Sequence, residues 1–123
     1  MADVKIKYHD IPNHRMGETF NGVSFLNLTV DGVPIDLNGY TIEADFRLTK
    51  NGALQQRWST VGSSPKIEIL QPTTNGCFNF KNDFIVDLDA GKYYYDIRFV
   101  SPDGRVEYYV EGTFTVDQNV TRG

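Results

Sequence analysis

The sequence holds a single cysteine, Cys77, in 123 residues. No intramolecular disulfide can form, and the chain does not need an oxidising compartment. Within Gly76-Cys77-Phe78-Asn79-Phe80, this cysteine reads as a small strand residue and not as a nucleophile. Long hydrophobic runs are missing as well. No stretch approaches the roughly 18 apolar residues of a membrane span. Residues 1–7 lack the apolar segment of a signal peptide. Basic residues form no stripe: Lys50, Arg57, Lys66, Lys81, Arg98 and Arg105 stand singly, and the net charge is −4. Such a chain has no long-range attraction to nucleic acid or to an anionic membrane, and neither is expected as a partner.

Catalytic and cofactor signals are equally sparse. No glycine-rich loop opens a helix, so there is no phosphate cradle and no cofactor is expected. No serine sits in a nucleophile elbow. The two histidines, His9 and His14, flank Asp10 in a segment rich in turn residues. Their spacing matches no metal motif, and zinc asks for three or four convergent ligands; residues 9–17 therefore read as a polar loop. Asp87 and Asp89 share one face of an extended segment. Paired carboxylates do acid–base work when buried and coupled, but beside a turn they are solvated. The chain is expected not to be an enzyme.

Alternation with period two is abundant, and no amphipathic helix of three turns appears. In residues 91–100, Tyr93, Tyr95, Ile97 and Phe99 alternate with Lys92, Tyr94, Asp96 and Arg98. In residues 105–116, Val106, Tyr108, Val110, Phe114 and Val116 alternate with Glu107, Tyr109, Glu111, Thr113 and Thr115. Side chains on a strand point to opposite faces, so each run has one apolar face. Ser101-Pro102-Asp103-Gly104 supplies the turn between them. This hairpin is the expected spine of the fold. Residues 40–48 alternate in the same way, with Tyr40, Ile42, Ala44, Phe46 and Leu48 on the core face.

Shorter strands are expected at 4–8, over Thr19–Val30 on either side of the phase change at Phe25-Leu26, at Ile67–Ile69 and at Phe78–Phe80. Asp31-Gly32 is a hairpin signal. The segment 54–60, which carries Trp58, fits an edge strand and a long loop equally; 83–88 fits a strand and a crossing between sheets. With about seven to nine strands and turn signals every eight to twelve residues, the fold class is all-β, an antiparallel immunoglobulin-like β-sandwich of one domain over 1–123. Residues 117–123 are expected to form an extended C-terminal tail.

Tyr94 and Tyr109 fall on the phase opposite the expected core. Tyrosine outside a core suits an interface, because it is amphipathic and loses little entropy on contact. Cross-strand packing on the sheet face is the other reading. With Trp58, the two tyrosines would also make a stacking platform for a carbohydrate- or host-surface-binding module.

The order of these pieces resembles small β-sandwich domains of tailed-bacteriophage structural proteins, among them the N-terminal domain of baseplate upper proteins. The resemblance spans about residues 20–122. It rests on the run from Asp31-Gly32-Val33-Pro34 to Gly39-Tyr40-Thr41-Ile42, on Lys50-Asn51-Gly52, and on Asn75-Gly76-Cys77-Phe78. It continues through Leu88-Asp89-Ala90-Gly91, Tyr95-Asp96-Ile97, Asp103-Gly104-Arg105-Val106, Gly112-Thr113-Phe114-Thr115-Val116 and Val120-Thr121-Arg122. It implies a non-enzymatic virion protein, made in the bacterial host cytoplasm, that docks on capsid, tail or baseplate proteins or on further copies of itself. A baseplate upper protein continues into a stalk, whereas this sequence stops at Gly123. A capsid decoration or auxiliary protein, a head-fibre base or a small tail or baseplate component is the expectation. The docking residues expected on this basis are Tyr94, Tyr109 and Trp58, with Val120, Thr121 and Arg122 adding a strand to a neighbour's edge.

Overall fold

The computed structural model describes residues 7–25, 28–30 and 32–118. Eleven strands form among the described residues: β1 (Lys7–Tyr8), β2 (Ile11–Arg15), β3 (Val23–Phe25), β4 (Thr29–Val30), β5 (Val33–Pro34), β6 (Thr41–Arg47), β7 (Leu54–Ser59), β8 (Ile67–Ile69), β9 (Phe78–Phe80), β10 (Gly91–Val100) and β11 (Val106–Asp117). The large sheet runs β1-β11-β10-β6-β7, with β2 also on β11. The small sheet runs β3-β9-β8. Aromatic rings join the two: Phe78 of β9 meets Phe99 of β10 edge-on at 5.4 Å, and Phe80 of β9 meets Trp58 of β7 at 5.3 Å. The chain is an all-β sandwich with its core between these faces.

The hairpin β10–β11 is the spine, as the alternation predicts. It pairs from Gly91 opposite Val116 to Val100 opposite Val106. Its turn closes with the Gly104 amide donating to the Ser101 carbonyl at 2.9 Å, and Gly104 takes the positive φ of 89° that the turn demands. Tyr93, Tyr95, Ile97 and Phe99 are all buried, as are Ile42, Ala44 and Phe46 across the strand boundary. Leu48 lies beyond the end of β6 and is exposed, contrary to the pattern.

β11 departs from strict alternation at one residue. Ile97 lies opposite Val110 but Arg98 lies opposite Tyr108, leaving Tyr109 as the extra residue of a bulge. A bulge advances the strand by one residue and exchanges its faces. Val106 and Tyr108 therefore face solvent, while Tyr109 and Val110 are both buried. Phe99 receives the Tyr109 ring edge-on at 5.1 Å.

The first strand does lie on a sheet edge, with Lys7 opposite Val110, but its pairing with β11 is parallel; residues 4–6 fall outside the described residues. Residues 11–15 form a strand where the sequence suggests a loop. β2 also runs parallel to β11, with Ile11 opposite Phe114 and His14 opposite Val116. Three steps on β2 match two on β11, so its buried residues recur at a spacing of three and escape a period-two search. Asp117 belongs to β11, opposite Arg15, and not to a tail.

β7 is the opposite edge strand of the large sheet. Residues 83–88 cross between the sheets, held by a bridge from Thr19 to Ile85, with Val86 and Leu88 buried.

Candidate functional site

The outer face of the large sheet carries polar side chains in rows set by register. One row is Arg57, Asp45, Asp96 and Glu111, each opposite the next. The row on one side is Ser59, Glu43, Arg98 and Tyr108. On the other side Arg47 lies opposite Tyr94, and Tyr94 opposite Thr113.

Charge is compensated unevenly along these rows. Arg57 grips Asp45 with both arms of its guanidinium, Nε to Oδ1 at 2.6 Å and Nη2 to Oδ2 at 3.0 Å. This planar fork matches a carboxylate. Arg47 approaches the same carboxylate at 3.7 Å, so Asp45 is only 4% exposed yet paired. The hydrogen bond to Asp45 raises the pKa of Arg57 further. Glu43 pairs with Arg98. Asp96 is half-buried between Asp45 and Glu111 and raised in pKa, first by desolvation; those two carboxylates add to the rise, while Arg47 and Arg98 partly oppose it.

A folded pKa above the unfolded value destabilises the fold wherever the group is charged. This contribution to stability is therefore fully present below the unfolded value near 3.8 and is lost as pH rises through the folded one. Asp96→Asn is expected to stabilise the domain at pH 7 and to flatten its stability–pH curve just above pH 4. Urea unfolding of both proteins at pH 7 and pH 5 checks this. An unchanged midpoint at pH 7 would refute the proposed burial cost.

Tyr94 sits at the basic end of this face, half-buried, with Lys50 Nζ 5.8 Å and Lys92 Nζ 5.7 Å from its ring centroid. Cations over a tyrosine ring are attracted by its quadrupole. A depression of about 100 Å³ opens beside it, lined by Arg47, Lys50, Tyr94, Asp96 and Glu111, with Tyr95 and Gly112 beneath. Cations border one side and carboxylates the other. A dipolar protein surface suits this arrangement better than an ion of one sign.

Of the residues singled out from sequence that fall among the described residues, Tyr94 alone is where the pattern places it. Tyr109 is 6% exposed, because the bulge turns it inward. Its hydroxyl pKa is pushed up to about 12 by burial and then by the Glu107 carboxylate. Trp58 is 1% exposed: it lies opposite Ala44 on the inward face of β7. A platform of Trp58, Tyr94 and Tyr109 therefore does not exist on one surface. Val120, Thr121 and Arg122 lie outside the described residues. Tyr108, 42% exposed, takes the outward place expected of Tyr109. Its only sequence signal is adjacency to Tyr109, which cannot locate a bulge.

The histidine segment is tied into the fold. Asp10 Oδ1 accepts from the Thr113 amide at 3.0 Å and its hydroxyl at 2.9 Å. His14 is buried, with Nε2 2.9 Å from the Glu18 carbonyl oxygen. Among the described residues, no group of three or more His, Cys, Asp or Glu side chains could hold a metal ion. Asp87 and Asp89 are exposed. No helix among the described residues is long and apolar enough to cross a membrane.

No protein-family model matches the sequence, and no curated protein matches it. Among solved structures, the crystal structure of CopC from Methylosinus trichosporium OB3b is similar at a TM-score of 0.43 and 17% identity, over 90% of this chain and 89% of that one. This likeness bears on neither the site nor its chemistry.

Proposed function

We propose that the chain is a non-enzymatic structural protein of a tailed-bacteriophage particle, docking on another virion protein through the outer face of its large sheet. One observation carries the docking surface: Tyr94 stands outward under Lys50 and Lys92, one register step from Asp96 and Glu111. The surface this fits presents a carboxylate to the Arg47–Lys50–Lys92 end and a cation to Asp96 and Glu111. Complementary charge of this kind sets register and suppresses wrong partners more than it adds affinity. A central aromatic supplies the anchoring area. The virion setting is supported by the sequence resemblance over residues 20–122.

Immunogold labelling of particles from the source, with an antibody to this chain, tests the setting. Gold on heads supports a capsid role and gold at the tail tip a baseplate role; unlabelled particles defeat the reading. Tyr94→Ala tests the face. Folding is expected to be nearly unchanged and incorporation into particles at least tenfold lower, a loss of about 1.4 kcal/mol or more in docking. Normal incorporation of that variant would remove the face from the proposal.

A further inference from the structure

Asn-Gly occurs four times in the chain, at Asn21-Gly22, Asn38-Gly39, Asn51-Gly52 and Asn75-Gly76. The pair carries its own chemistry. The glycine nitrogen can attack the asparagine Cγ, and with no Cβ on the glycine little stands in the way. A five-membered imide forms, ammonia leaves, and water then opens the ring. The attack needs a glycine N–H free of an acceptor, a solvated asparagine side chain, and room for the main chain to turn. The four pairs are chemically identical, but the fold treats them differently.

At two of them the attacking nitrogen is engaged. Asn51 is the third residue of the turn 49–52, so the Gly52 amide closes that turn by donating to the Thr49 carbonyl at 3.0 Å. The Gly76 amide likewise donates to the Thr73 carbonyl at 3.3 Å. At Asn21 the space is taken. Gly22 is half-buried, and a Cβ on it would stand 3.0 Å from Asn82 Cβ and 3.1 Å from the Phe80 carbonyl oxygen, so 80–82 wall in its main chain. Asn38 differs from Asn51 by one place in its turn. It is the second residue of 37–40, which the Tyr40 amide closes by donating to the Leu37 carbonyl at 3.1 Å. The Gly39 amide belongs to the middle peptide of that turn and has no acceptor among the described residues. Asn38 and Gly39 are both exposed. Gly39 has φ 79°, and a Cβ on it would stand 2.8 Å from Pro102 Cγ, so the turn requires glycine. Pro102 is an exposed side chain at a hairpin tip and can give way, unlike the main chain beside Gly22.

We propose that Asn38 is a site of spontaneous deamidation, reacting in the folded chain ahead of the other three Asn-Gly pairs. The Gly39 nitrogen gives its proton to solvent base and bonds to Asn38 Cγ. The Cγ–Nδ2 bond breaks, and the side-chain nitrogen takes a proton from water and leaves as ammonia. Water then adds at one imide carbonyl. Opening on one side leaves aspartate at position 38; opening on the other leaves isoaspartate, with the main chain routed through the former side chain. The sum is asparagine plus water giving a carboxylic acid and ammonia, with no oxidant, reductant or cofactor. Either product adds a carboxylate two residues from Asp36. Isoaspartate also lengthens the main chain between Leu37 and Tyr40 and pulls apart the hydrogen bond that closes the turn. The inference stands apart from the docking face and does not depend on it.

The test is mass-spectrometric peptide mapping of the full chain after incubation in warm, mildly alkaline buffer, folded and, in parallel, unfolded in urea. Fragmentation that separates aspartate from isoaspartate reads each site. In the folded chain, position 38 is expected to gain about 1 Da, mostly as isoaspartate, about tenfold or more faster than the other three sites, whose reaction waits on local opening. In urea the four rates should converge to within about threefold, because the turns that distinguish them are gone. Water enriched in heavy oxygen should leave one labelled oxygen in the product. Asn38→Ser leaves Gly39 and the turn in place; it should abolish the early mass gain and keep the Tyr40 amide protected from hydrogen exchange. The proposal is overturned if Asn21, Asn51 or Asn75 reacts as fast as Asn38 in the folded chain, if position 38 keeps the same lead in urea, or if the early gain survives in Asn38→Ser.

Discussion

Trp58→Ala is expected to destabilise the domain by about 4 kcal/mol, within the range for removing a large buried aromatic. Total stability of a domain is only about 5–15 kcal/mol, so the variant should be partly unfolded at 37 °C. The reason is its position, not its size alone. The indole is ringed by Phe46 at 4.5 Å, Phe84 at 5.0 Å, Phe20 and Phe80 at 5.3 Å and Phe114 at 6.1 Å. These partners come from both sheets and from the crossing segment, so the cavity cannot close by moving one element. Offset and edge-on ring pairs add to the area buried. The indole N–H is buried and has no hydrogen-bond partner among the described residues. Trp58→Phe removes that donor while keeping a ring, and should cost no more than about 1.5 kcal/mol. Urea denaturation of both variants checks the pair. Equal losses would mean that the ring packing does not set the energetics.

Gly112→Ala is expected to cost about 3 kcal/mol, at the upper end for overpacking, and to lower Tm by about 10 °C. A Cβ at residue 112 would lie 1.8 Å from the His9 carbonyl oxygen and 3.0 Å from Tyr95 Cε1. The first of these is main chain, which no rotamer change can relieve. The same carbonyl accepts from the Tyr95 hydroxyl, and the His9 amide donates to the Glu111 carbonyl at 2.8 Å. The added methyl therefore pushes β1 and β2 off β11 and breaks these bonds together. Hydrogen exchange locates the damage: the amides of His9 and Thr113 should lose protection while those between β10 and β6 keep theirs. A Tm within 2 °C of the parent would show that β1 is held too loosely to feel the methyl.

Two of the expected outward residues, Trp58 and Tyr109, are core residues, and each error has its own physical origin. Trp58 is the one large apolar residue toward the end of a strand whose other members are mostly polar, so alternation has no phase to report. Its direction follows from pairing with Ala44, a residue fourteen positions earlier. Tyr109 sits in a run whose apolar alternation keeps one phase throughout the sequence, while burial changes phase at the bulge. The bulge is a property of the β10–β11 register and has no mark in the run itself. Tyr94 was legible because β10 carries no such break between Gly91 and Ile97.

The sequence alone determined the β class, the spine hairpin with its turn, and the buried face of β6 and β10. These depend on period two and on turn chemistry, which act over a few neighbouring residues. Tertiary structure decided the parallel docking of β1 and β2, the exchange of faces in β11, the inward turn of Trp58, and the charge rows around Asp96. Those depend on which strands lie side by side and in what register, and register is chosen by burial over the whole sandwich and not by any local run of residues.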